Sequence, residues 1–87
     1  MDDVTEEQVK TAALSKGIPT IDHHRCSFCN TMVYYFIQGE DLFFNPGCGC
    51  SWSPPTQSSW QYAADWINMQ SNSEIKIGIA KRFGLED

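Results

Sequence analysis

The sequence has few basic residues, no long hydrophobic run and no internal repeat. Its 87 residues include six lysines and arginines against eleven acidic residues, which gives a formal charge of −5 at pH 7. Proteins that hold nucleic acid by its backbone need lysine and arginine opposite the phosphates, so non-specific binding of DNA or RNA is disfavoured. No segment approaches the roughly 18 apolar residues that a membrane span requires. We therefore expect no membrane partner.

The sequence also lacks the common catalytic motifs. It contains no nucleophile elbow, no phosphate-binding loop and no metalloprotease helix motif. Its first seven residues are acidic and polar, whereas a secretory signal combines basic residues with a hydrophobic stretch. We therefore predict a cytoplasmic protein without enzymatic activity.

The length of the chain predicts a single domain over residues 1–87. So small a domain buries too little surface for its core alone to be a strong source of stability, and it usually needs disulfides, a metal or a partner subunit. Four cysteines are present. In a reducing cytoplasm, cysteine pairs are interpreted first as metal ligands and only then as disulfides.

The cysteines form two closely spaced pairs that flank a predicted β-hairpin. Residues 32–37 are mostly β-branched and aromatic and predict a strand, residues 38–41 predict a turn, and residues 42–45 predict the returning strand. A hairpin brings both pairs to one place, where four thiolates suit the tetrahedral coordination of Zn²⁺. We predict one structural zinc ion per chain, held by Cys26, Cys29, Cys48 and Cys50.

Residues 24–52 resemble a zinc ribbon, in which two cysteine knuckles bracket a β-hairpin. The first pair, Cys26-x2-Cys29, has the usual spacing, but the second, Cys48-Gly49-Cys50, encloses one residue where the family has two. If only one cysteine of the short pair binds the metal, His24 is the alternative fourth ligand. Iron in a rubredoxin-like centre, disulfides and ordinary buried thiols are the remaining interpretations of the four cysteines.

The N-terminal segment, residues 1–19, predicts a helix over about residues 6–16. Thr5 and Gln8 have the spacing of a capping box, in which each side chain accepts a hydrogen bond from the other residue's backbone. Gly17 can adopt the left-handed conformation that ends a helix, and Pro19 prevents its continuation.

The C-terminal segment, residues 54–87, predicts one or two helices. Ser58 and Gln61 repeat the capping-box spacing, which predicts a helix over about residues 59–70. Residues 74–83 fit either a strand or a helix, and the basic residues and glycine at their end favour the helix. The predicted fold is a small α+β domain stabilised by zinc, with a zinc-ribbon-like hairpin in residues 20–53.

The aromatic residues of the hairpin predict a binding surface. Alternation along the first strand places Tyr34 and Phe36 on one face and the residues next to them on the other. We expect the second face to be exposed and to act together with two acids of the first helix. The expected partner-binding residues are Tyr35, Ile37, Glu6 and Glu7.

These features predict a non-enzymatic, zinc-stabilised module that binds a protein with a basic surface. In size and charge the chain resembles the small acidic accessory proteins of bacteriophages, which implies binding and modulation of a host protein. One alternative is a zinc ribbon in transcription or nucleic-acid binding, with Lys76, Lys81 and Arg82 opposite phosphates. A rubredoxin-like electron-transfer protein is the second alternative.

Overall fold

The computed structural model describes residues 3–45 and 47–85, which contain three helices and four strands. The chain divides into two compact units. The helical unit comprises Met1–Ile18 and Ser59–Asp87, and the sheet unit comprises Pro19–Ser58. The elements are α1 (Glu6–Lys16), β1 (Thr20–Arg25), β2 (Met32–Gln38), β3 (Asp41–Asn45), β4 (Thr56–Gln57), α2 (Trp60–Asn68) and α3 (Ser73–Arg82). The predicted α+β class is confirmed.

None of the helices in the described part of the chain combines the length and the hydropathy needed to cross a membrane.

Helix α1 begins and ends at the predicted residues. The Thr5 hydroxyl accepts a hydrogen bond from the Gln8 N–H (3.2 Å), and the Gln8 side chain accepts one from the Thr5 N–H (2.9 Å). This reciprocal pair is the predicted capping box. At the other end Gly17 has φ 65°, and the Ile18 N–H bonds to the Ala13 carbonyl. The left-handed glycine thus satisfies carbonyls that the helix end would leave without donors.

Helix α2 begins one residue later than predicted. Its cap is Ser59, whose hydroxyl accepts from the Tyr62 N–H (3.0 Å). The predicted cap, Ser58, instead donates its own N–H to the Leu42 carbonyl (2.8 Å) in the sheet unit. Because that hydrogen bond holds Ser58 beside the sheet, the prediction of Ser58 with Gln61 as the capping box is wrong. The predicted apolar stripe is buried and consists of Trp60, Ala63, Ala64 and Ile67.

The ambiguous last segment is a helix, as predicted. Asn72 caps α3 by accepting hydrogen bonds from the Glu74 and Ile75 N–H groups. On its buried face, Lys76 is only 9% exposed and its ammonium forms an ion pair with Asp3 at 2.9 Å. Lys76 is therefore not part of an exposed basic patch, which corrects the surface assumed for nucleic-acid binding.

The sheet is antiparallel with the strand order β1-β2-β3-β4. The predicted hairpin is its centre, and Gly39 in the turn has φ 67°. Sequence reasoning missed the two outer strands. Strand β1 is mostly polar, has one fully buried residue, Ile21, and carries a bulge between Asp22 and His24. Strand β4 has two exposed residues, so neither strand produces a hydrophobic alternation.

The inward face of β2 is the opposite of the one predicted. Val33 and Tyr35 are buried, with Tyr35 at 0% exposure, whereas Tyr34 and Phe36 are half-buried. The Tyr35 ring packs against Phe44 at a centroid distance of 5.2 Å. The prediction that Tyr35 lies on an exposed outer face is therefore wrong.

The other three residues of the expected partner surface are accessible in different degrees. Ile37 is half-buried, whereas Glu6 and Glu7 are exposed in the first turn of α1. The two carboxylates lie at the positive end of the helix dipole, where negative charge is favourable.

We predict that Asn68 links the start of the chain to α2. Its amide accepts from the Val4 N–H (2.9 Å) and donates to the Val4 carbonyl (2.8 Å). Asn68→Ala should lower the free energy of unfolding by about 2 kcal/mol, since each hydrogen bond contributes roughly 1 kcal/mol. Chemical denaturation measures the change. The control Gln61→Ala removes one exposed hydrogen bond to Asp65, and an equal effect of both variants would contradict the prediction.

Candidate metal centre

The four cysteines lie in two loops of the sheet unit. Cys26 and Cys29 belong to the first cysteine loop, residues 26–31, which joins β1 to β2. Cys48 and Cys50 belong to the second cysteine loop, residues 47–53, which follows β3. The antiparallel pairing of β2 with β3 brings the loops together. All four Sγ atoms lie within 4.8 Å of one another, positioned to hold one metal ion. We call these atoms the four-sulfur group.

The sulfur spacing fits a tetrahedral ion. A zinc–sulfur bond of about 2.3 Å places the sulfurs of a regular tetrahedron about 3.8 Å apart. The Sγ atoms of Cys26 and Cys50 are 3.7 Å apart. The single residue between Cys48 and Cys50 therefore does not prevent both from binding one ion, because both place their sulfurs in the group.

The first cysteine loop is a tight turn closed by its own backbone. The Asn30 N–H bonds to the Cys26 carbonyl (2.9 Å), and the Cys26 N–H bonds to the Thr31 carbonyl (3.0 Å). Asn30 takes a positive φ of 61°, which asparagine tolerates better than most residues. The Phe28 N–H points at the Cys26 sulfur at 3.5 Å. The loop therefore directs both cysteine side chains to one side.

The second cysteine loop approaches the first through a glycine. The Gly49 N–H donates to the Cys29 sulfur at 3.1 Å. A Cβ at Gly49 would lie only 3.2 Å from that sulfur, closer than most side chains allow. Within the loop, the Cys48 N–H bonds to the Ser51 carbonyl at 2.8 Å. The single residue between Cys48 and Cys50 therefore serves as a donor to the opposite pair.

The electrostatics of the group favour a bound cation. A hydrogen bond from the Thr31 side chain lowers the pKa of Cys29 to about 5. A backbone hydrogen bond from Ser51 lowers the pKa of Cys48. The hydrogen bond between Cys50 and Cys29 raises the pKa of Cys50 to about 12. The raised pKa of Cys50 disfavours its ionisation without a cation, whereas a divalent ion deprotonates the thiols that coordinate it.

His24 is not a member of the four-sulfur group. Its Nδ1 atom contacts Nδ1 of His23, and the His23 ring packs at 5.3 Å from both Tyr35 and Phe44. Burial, and then the charge of His24, lower the pKa of His23 to about 4, so its ring is neutral at neutral pH. Among the described residues, the group with metal-ligand geometry consists of the four cysteines.

Two exposed rings beside the sulfurs were missed by the sequence analysis. Phe28, in the first cysteine loop, is 89% exposed, and Trp52, in the second, is 80% exposed. Each ring lies within two residues of a cysteine, and this position in the sequence was the signal that could have identified them. Next to Phe28 an open groove of about 450 Å³ runs along the first loop. It is lined by His24, Arg25, Cys26, Ser27, Phe28, Val33, Phe44 and Cys48.

We predict that the purified protein holds about one zinc ion per chain and that the sheet unit needs it. Zinc binding contributes on the order of 10–16 kcal/mol in small zinc peptides, which exceeds the roughly 5–15 kcal/mol stability of a typical domain. Elemental analysis gives the stoichiometry. A strong chelator should then unfold residues 20–53 cooperatively in amide NMR spectra. An unchanged spectrum after complete removal of the metal would contradict this.

We predict that both cysteines of the short pair are ligands. Cys48→Ser and Cys50→Ser should each lower the zinc content nearly as much as Cys26→Ser, because the sulfurs of all three share one group. His24→Ala is the matched control and should keep about one zinc per chain. The opposite pattern, in which one cysteine of the pair is dispensable and His24→Ala loses metal, would make His24 the fourth ligand.

No protein-family model, curated protein or solved structure matches the chain. The metal centre is therefore interpreted from its own geometry. The likeness to a zinc ribbon consequently consists of two features of this chain, the spacing of its cysteine pairs and the hairpin between them.

Proposed function

We propose that this protein is a non-enzymatic module, stabilised by zinc, that binds another protein through the cysteine loops. The observation that carries the proposal is the exposure of Phe28 and Trp52, at 89% and 80%. Large exposed aromatic side chains are costly in water, and they are enriched among residues that dominate protein interfaces. Both rings lie in the cysteine loops, each within two residues of a cysteine, so a metal bound by the four-sulfur group would hold the loops that carry them.

The composition of the metal site supports a structural role for the ion. Four cysteine sulfurs complete a tetrahedron around zinc, whereas catalytic zinc sites keep one position for water or substrate. The proposed module therefore uses zinc to order its two cysteine loops, with no chemical step at the metal.

The charge of the sheet unit supports a partner with a basic surface. Residues 19–58 contain three carboxylates and one basic residue, Arg25, a formal charge of −2. Zinc with four thiolates adds about −2, so the loaded unit carries about −4. Such a charge repels phosphates but accelerates association with a basic protein surface.

The first turn of α1 is also acidic. Glu6 and Glu7 are exposed and add negative charge that can attract the same kind of partner over a distance. We propose that the partner is a host protein and that the module is an accessory protein of a phage or mobile element. The support for this origin is the small size and acidic charge of the chain.

We predict that binding depends on the two exposed rings. The double variant Phe28→Ala/Trp52→Ala should weaken the captured complex by about 30-fold or more, as loss of an interface hot spot costs roughly 2 kcal/mol. The measurement is quantitative capture from a bacterial lysate by the zinc-loaded protein, followed by titration of the protein recovered. The control Tyr62→Ala/Met69→Ala removes two exposed apolar side chains from the helical unit.

Two results would contradict the proposal. One is equal capture by the wild type and both double variants. The other is tight binding of the isolated protein to duplex DNA at physiological salt with no protein recovered, which would favour the nucleic-acid alternative. A visible thiolate-to-iron absorption in the purified protein would favour the electron-transfer alternative.

A further inference from the structure

The four sulfurs of the metal centre are not equally protected. Cys29 accepts hydrogen bonds from the Gly49 N–H (3.1 Å) and from the side chain and backbone of Thr31. Cys48 is close to the Ser51 hydroxyl (3.9 Å) and accepts backbone hydrogen bonds. Hydrogen bonds of this kind stabilise a thiolate and so make its sulfur a weaker nucleophile.

Cys50 is the exception in the group. Among the described residues, the hydrogen-bonding neighbours of its sulfur are other cysteine sulfurs. It is also the one cysteine of the four that is exposed, the others being half-buried. Bound zinc keeps all four cysteines in the thiolate form, so reaction with an oxidant, which needs a thiolate and access to it, is decided by access. Cys50 is therefore the sulfur that a small oxidant reaches first.

The neighbour best placed to react next is Cys26. Its sulfur lies 3.7 Å from that of Cys50, and the N–H contact that the described residues make to it, from Phe28, is long at 3.5 Å. Cys29 is closer to strong donors, and Cys48 is separated from Cys50 by one residue, so a disulfide between those two would close a very small ring. The geometry thus selects a bond between the two cysteine loops.

We propose that the centre is a peroxide-sensitive switch, in which Cys50 and Cys26 form a disulfide between the loops and the metal is released. The inference rests on the zinc centre of the proposed function and is independent of the partner.

The chemistry balances with hydrogen peroxide as the oxidant. The Cys50 sulfur attacks one peroxide oxygen, the O–O bond breaks, and a sulfenic acid and a hydroxide ion form. The Cys26 sulfur then attacks the sulfenic sulfur, the S–S bond forms, and a second hydroxide leaves. Two protons from solvent convert both hydroxides to water. Two thiolates have lost two electrons in all, and peroxide has gained them.

The consequence is loss of the arrangement that exposes Phe28 and Trp52. After the reaction only Cys29 and Cys48 remain as thiolates, and two ligands hold zinc far less tightly than four. Both rings lie within two residues of an oxidised cysteine. Oxidation therefore couples the redox state of the surroundings to the proposed binding surface.

The test maps the disulfide in the wild-type protein. Zinc content is measured first, and the zinc-loaded chain is then treated with a small excess of hydrogen peroxide while a chromogenic dye records released zinc. Free thiols are alkylated, and trypsin and chymotrypsin together cut after Arg25, Phe28, Phe44 and Trp52. The products separate Cys26 from Cys29, and fragmentation of the peptide that contains Cys48 and Cys50 identifies which of them is linked.

The expected result is a Cys26–Cys50 disulfide as the main product, formed in step with zinc release, at about one zinc per disulfide. In Cys50→Ser the thiol of Cys26 should be lost about tenfold more slowly. Because that variant also lacks a metal ligand, the wild-type map decides the matter.

Three results would overturn the switch. They are a main disulfide other than Cys26–Cys50, such as Cys29–Cys50 or Cys48–Cys50, sulfinic acid without a disulfide, or disulfide formation with zinc retained. Absence of zinc from the untreated protein would overturn the metal centre as well. A correct disulfide map combined with failure to capture any partner would instead refute only the proposed binding function.

Discussion

The sheet unit brings four sulfurs within 4.8 Å of one another, close enough to hold one metal ion. Two of the cysteines have a lowered pKa and a third has a raised one, because the sulfurs accept hydrogen bonds from different neighbours and from one another. A divalent cation at this place would favour four thiolates and would join the two cysteine loops. With the loops joined, the hairpin between them would need fewer buried side chains for its stability. The described strands bury few side chains fully.

Sequence reasoning succeeded where the determinants are local. The cysteine spacing predicted the four-sulfur group, β-branched and aromatic residues predicted the hairpin, and Thr5, Gln8 and Gly17 predicted both ends of α1. It failed where a contact between residues far apart in the sequence determines the local structure. Ser58 has the composition of a helix cap, but its N–H bonds to the Leu42 carbonyl, sixteen residues earlier in the chain. Nothing in the neighbourhood of Ser58 in the sequence indicates that bond.

The orientation of β2 illustrates the same limit. Alternation separates Tyr35 from Tyr34 and Phe36, but it does not say which face is inside, since both faces carry large rings. In the structure Tyr35 is in register with Ile21 of β1 and Phe44 of β3. Because β1 is polar and has one fully buried residue, it could not be recognised as a strand beforehand. Without β1 there was no basis for choosing the inward face.

The exposed rings and the metal site are consequences of one arrangement. In a domain held by a hydrophobic core, burying Phe28 and Trp52 would contribute roughly 2 kcal/mol each. Here backbone N–H groups of the first loop donate to carbonyls of the same loop and to the Cys26 sulfur. In the second loop the Gly49 N–H donates to the Cys29 sulfur. The loops therefore cannot rearrange to bury their rings without breaking the sulfur contacts. In the proposed function, metal binding takes the place of core packing in this unit, and the exposed rings of Phe28 and Trp52 are available for a partner.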